Sequence, residues 1–154
     1  MDSLRTHVLN LLTKAEAHVD VRSTLEAFPR ELSGRKPEGA PHTPWQLLEH
    51  MRIAQWDILE FSLNPKHVSP KFPEEHWPSS DKPETPKAWE QSIQRFLADL
   101  DAVCEFVRDP GRDLFAPIPW GDGQTLLREA FLVADHNTYH LGQLVMVRRT
   151  LEKK

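Results

Sequence analysis

The chain carries a single cysteine, Cys104, in 154 residues, so no intrachain disulfide can staple it. Val103, Phe106 and Val107 around it predict a half-buried helical thiol, and no cation or helix start stands beside it to activate it as a nucleophile. A basic surplus is also missing: 19 Lys and Arg stand against 23 Asp and Glu, a net charge of −4, with no cationic run. Nucleic acid, whose phosphates call for clustered cations, is thereby excluded as a partner. No stretch approaches the roughly 18 apolar residues of a membrane span, and Met1-Asp2-Ser3-Leu4-Arg5 opens no apolar leader. There is no low-complexity tract. These absences predict a protein of the reducing cytoplasm, without a membrane partner, folded as one domain over residues 1–154 with a continuous core.

Proline, by contrast, is plentiful, at 13 residues. The prolines punctuate the chain and largely spare four segments with helical periodicity. The first, about residues 3–28, places Leu4, Val8, Leu11, Leu12, Ala15, Val19 and Leu25 at mostly three- and four-residue spacing and stops at Pro29. The second opens with Thr43-Pro44-Trp45-Gln46, in which Thr43 caps, Pro44 suits the first turn and Gln46 reaches back. It continues through Leu47, Met51, Ala54, Ile58 and Phe61. Residues 62–84 follow, with five prolines and little periodicity, too long for a passive connector. The third segment opens with Thr85-Pro86, the same device, and runs from Trp89 to Val107 before Pro110-Gly111. The fourth starts at a cap on Asp122 or Thr125 and runs to about Leu151. Four helices and no convincing strand predict an all-α four-helix bundle in which the 62–84 connection is a long crossover.

The chemistry lies in Asp135-His136-Asn137-Thr138-Tyr139-His140-Leu141-Gly142-Gln143. Two histidines four residues apart share one helix face, so both imidazoles can reach one ion. His50 stands at the edge of the second segment's apolar stripe, and packing these helices face to face brings the three rings together. Three neutral nitrogen ligands leave coordination positions open, as working sites do and structural zinc sites do not. The competing reading makes all three polar core histidines. The zincin motif His-Glu-x-x-His fails, because Asn137 stands at its second position and the glutamate base of such a peptidase is missing, while a metal-dependent hydrolase of another kind stays open beside a transferase. Asp135 and Asn137 point away from the histidine face, as solvent-facing or inter-helix polar residues. His7, His18, His42, His67 and His76 lack a partner at ligand spacing, with His42 nearest to the helix that carries His50. Trp45, Trp56 and Trp89 suit a core, whereas Trp77 and Trp120, in proline-rich stretches, either rim the pocket or seal the ends of the bundle.

His50 within Trp45-Gln46-Leu47-Leu48-Glu49-His50, the 135–145 motif and the basic pair Arg148-Arg149 together resemble the DinB/YfiT-like superfamily over nearly the whole chain. The resemblance implies a metal-binding four-helix bundle with a crossed-over helix order, and a divalent metal on His50, His136 and His140. Neutral imidazoles suit zinc, nickel, iron and copper alike, and zinc or nickel is the expected ion, with iron or manganese the alternative. The family includes thiol-dependent transferases and isomerases, so the implied activity is a metal-dependent enzyme that activates a thiolate or water toward a small-molecule substrate, with a low-molecular-weight thiol as partner. Its catalytic residues are not identified by the sequence. Two alternatives belong to other classes: a non-catalytic, stress-related metal-binding protein, and a helical interaction module without metal. The apolar breadth of the fourth segment (Leu126, Leu127, Phe131, Tyr139, Leu144, Val145), with Gly142 open to a close approach, adds an expected homodimer.

Overall fold

A computed structural model describes residues 2–153, and all regular structure among them is helical. The helices are α1 (Ser3–Thr13), α2 (Val21–Glu26), α3 (Pro44–Leu63), α4 (Ala88–Arg108) and α5 (Leu126–Glu152), with short 3-10 turns at Arg30–Leu32 and Glu74–His76. The nearest approach to a strand is an isolated bridge between Pro117 and Thr125.

The first predicted helix is in fact two. Helix α1 ends at Thr13 and the chain turns extended at Lys14. Residues 14–19 are all exposed and offer the core nothing, so continuing the helix would bury no area. Asp20 then caps α2 by accepting from the Ser23 amide at 2.8 Å. The break re-aims Val21 and Leu25 into the core, while Leu11 and Val19, expected on the buried stripe, stay 53% and 48% exposed.

Helix α3 starts as its sequence predicts: Thr43 accepts from the Gln46 amide and the Gln46 side chain accepts from the Thr43 amide, a complete capping box. Thr85-Pro86 does not repeat it. Helix α4 begins only at Ala88, its cap position is Lys87, and no side chain caps it. The residue three positions after Thr85 is Ala88, which has no group to reach back, so half of the box is missing. For α5 the choice of cap falls on Thr125, which accepts from the Arg128 amide at 3.2 Å.

Helix α3 packs along both α4 and α5, and α1 lies against the same two helices. Their shared core holds Leu48, Met51, Phe96, Leu100, Val103 and Leu144, each almost wholly buried. Cys104 is fully buried rather than half-buried, and burial pushes its thiol up to about 11, which removes it from nucleophilic chemistry. Truncating a core ring such as Phe96 to Ala would cost about 3–5 kcal/mol. One polar tie crosses this core: Gln55 donates to the Phe96 carbonyl at 2.7 Å and accepts from Asn137 Nδ2 at 2.8 Å, joining α3, α4 and α5. It fixes the rotation of α5 about its axis, and with it the direction in which the α5 histidines face. No helix among the described residues is long and apolar enough to cross a membrane.

Candidate metal centre

His50 comes from the second turn of α3, and His136 and His140 come from adjacent turns of α5. The facing of these two helices brings one ring nitrogen from each within 4.8 Å of the others. His50 and His136 meet Nε2 to Nε2 at 3.1 Å. The His140 ring stands 4.5 Å from each of the other two, centroid to centroid.

The outer nitrogens decide which inner ones are free. His50 Nδ1 lies 2.8 Å from the His76 carbonyl, which can only accept, so Nδ1 carries the proton and Nε2 presents its lone pair inward. His140 Nδ1 donates to Gln143 Oε1 at 2.7 Å, with the same consequence. His136 Nδ1 is buried and has no partner among the described residues. In the metal-free chain His136 Nε2–H must therefore donate to His50 Nε2, leaving a bare, desolvated Nδ1 on its far side. Two inward nitrogens, on His50 and His140, are braced by hydrogen-bonded outer ones, and with His136 beside them the three residues fit a divalent ion.

Protonation favours the same reading. Burial first, then the neighbouring imidazoles, push His50 down to about 4, against the pull of the His76 carbonyl. Burial, followed by His140 and His50, takes His136 to about 3. His140 is also lowered, chiefly by burial and against the Gln143 hydrogen bond. At neutral pH all three are uncharged, the form in which imidazole binds a metal.

The loop after α3 covers one side of the site. Trp77 stacks on His50 at 3.9 Å with planes 1° apart, and its other face carries His42 at 4.0 Å. His42, nearest to the helix in sequence, is thus separated from the cluster by an indole. Tyr139 sets its edge against His140. The three histidines and Trp77 line a cavity of about 520 Å³ with Ile58, Phe72 and Leu132. Trp120 is at the far end of α3, where its Nε1 donates to the Phe61 carbonyl at 2.6 Å.

One residue of this site, Asp57, went unread in the sequence, and His67 and His76 were read there only as histidines without a partner at ligand spacing. Asp57, seven residues after His50 and so on the same face of α3, accepts from His67 Nε2 at 2.7 Å and faces His76 Nε2 at 3.4 Å. It anchors the loop whose His76 carbonyl orients His50. The spacing of Asp57 was visible in the sequence; its two partners sit in aperiodic chain and were not. Of the two residues flanking His136, Asp135 is exposed and Asn137 is the buried tie to Gln55. His7 and His18 are exposed, and His18 contacts Thr138 on the outside of α5.

These features define an all-helical protein with three neutral imidazoles gathered to fit a metal ion. The chain belongs to the DinB superfamily, whose sequence model matches residues 9–144. No curated protein and no solved structure matches it.

Proposed function

We propose that this protein is a divalent-metal-dependent enzyme of the thiol-dependent transferase type, with zinc or nickel on His50, His136 and His140. The observation that carries this reading is the set of three ring nitrogens within 4.8 Å, two of them braced from behind by a carbonyl and an amide oxygen. A divalent ion held there would supply Lewis acidity, lowering the pKa of a thiol or water that reaches it. The chain supplies the rest. Two helices position the donors, and Trp77 fixes the plane of His50. The reaction class is displacement: the sulfur bonds to an electrophilic carbon, the leaving group takes the bonding pair, and the thiol proton passes to solvent.

Room beside the donors favours turnover over sequestration, since a storage site needs no cavity of about 520 Å³. The unpartnered His136 Nδ1 is the one feature on the side of a non-catalytic metal-binding protein. An interaction module without metal accounts for the His50–His136 hydrogen bond but gives the gathering of the third imidazole, His140, no role. Helices α1, α3, α4 and α5 are read as a four-helix bundle with residues 64–87 as the crossover, because α1 and α3 pack on the same two partners. The proposed setting is a reducing cytoplasm, in keeping with a lone buried thiol.

Protein purified without a histidine tag should hold one equivalent of divalent metal against a competing chelator, and His136→Ala should lose it. A His136→Ala protein with one equivalent at unchanged affinity would refute the ligand set. A panel of thiols and electrophiles should then show metal-dependent loss of free thiol; metal without turnover would favour sequestration.

A further inference from the structure

The cavity over the histidines is chemically one-sided. Ala54, Ile58 and Leu132 form aliphatic walls, and Phe72, Trp77 and Tyr139 form an aromatic rim. No lysine or arginine lines it, and its one acidic residue is Asp57. Both Asp57 oxygens are turned to imidazoles of the loop, His67 and His76. A carboxylate or phosphate carried into this space would lose part of its hydration to apolar walls and find no lysine or arginine there. It would meet the Asp57 carboxylate instead.

We infer that the site takes ligands with an apolar, uncharged body, whose one anionic atom is the sulfur that reaches the three-histidine centre. This rests on the metal-site reading for the sulfur end alone; the selectivity for the body follows from the cavity walls. The aromatic rim fits that body. Phe72 is 75% exposed and Tyr139 65% exposed, and they flank the opening where a flat apolar group gains contact on entering. Substrates and cosubstrates bearing a free carboxylate or phosphate at the body are selected against.

The test uses the cobalt-loaded full chain and two thiols that differ in one group, benzyl mercaptan and 4-(mercaptomethyl)benzoate. The para carboxylate is too far from the sulfur to chelate the same ion. Binding is read from the sulfur-to-cobalt charge-transfer band. Benzyl mercaptan should half-saturate at a concentration lower by about tenfold or more, a factor that corresponds to roughly 1.4 kcal/mol. Equal affinity, or a preference for the carboxylate, would overturn the inference. Phe72→Arg places a cation at an exposed rim position where folding is not at stake, and it should narrow the gap severalfold; an unchanged gap would also overturn it. A third arm needs no metal: saturation-transfer NMR on the metal-free protein should detect benzyl alcohol more strongly than benzoate, and the reverse order would refute the reading of the walls. Failure of the protein to take up cobalt would count against the metal centre, while that third arm still decides the selectivity.

Discussion

Gln143 and the His76 carbonyl do the same job for different rings: each holds a protonated Nδ1 so that Nε2 points inward. Only the first can be removed by substitution. Gln143→Ala should therefore weaken metal binding by about 10–100-fold without disturbing the core, the usual effect of losing such a bracing group. Chelator competition measures it, and an affinity within twofold of the parent would show that the bracing has no role. The same imidazoles contribute to the acid sensitivity of the metal-free protein. His50 and His136 are lowered from 6.5 to about 4 and about 3, so between those values the unfolded chain binds protons that the folded chain refuses. Stability contributed by the neutral rings is present above pH 6.5 and is lost as pH falls toward 4. Urea midpoints across this range should drop for the metal-free chain and drop less for His136→Gln; parallel curves would disprove the coupling.

Among the helices, α3 and α4 present a controlled comparison, because a Thr-Pro pair precedes both. Thr43 caps α3 and its Oγ1 also donates to the Asp81 carbonyl at 2.7 Å, holding the end of the long loop. Thr85 caps nothing, since α4 starts three residues later. Thr43→Ala should cost about 1–2 kcal/mol, and Thr85→Ala should stay within about 0.5 kcal/mol of zero. Equal losses in urea unfolding would contradict the structure. The two cases also show how far local patterns reach. Thr43-Pro44-Trp45-Gln46 contains both halves of a reciprocal hydrogen-bond pair, so its outcome was legible; Thr85-Pro86 contains one half, and the turn won. The break after Thr13 was illegible for a related reason. The apolar spacing runs through residues 14–19, but whether a helix continues there depends on what lies opposite, and for Ala15 and Val19 that is solvent.

At the scale of the whole molecule, α5 has more apolar surface than one core absorbs. Leu126 and Leu144 are buried, yet Phe131, Tyr139 and Met146 remain 43%, 65% and 62% exposed. Gly142 lies among them, and a Cβ placed there would touch nothing within 4 Å, so packing within the chain does not require this glycine. We propose that the part of this face around Phe131, Gly142 and Met146, clear of Tyr139 at the cavity opening, pairs with a second copy about a twofold axis. Sedimentation equilibrium at micromolar concentration should give twice the 17.8 kDa chain mass, and a single species at the monomer mass would reject the pairing. The sequence by itself determined where most of the helices run, how α3 begins, and that His136 and His140 share one face, because a period of 3.6 residues and short-range capping bonds are properties of neighbours along the chain. Tertiary structure alone decided that His50 meets His136 across 86 residues, that Trp77 lies on His50, and that Asp57 anchors the loop behind them. Loop residues have no period to place them, and a contact between distant segments exists only once helix packing has set which faces meet.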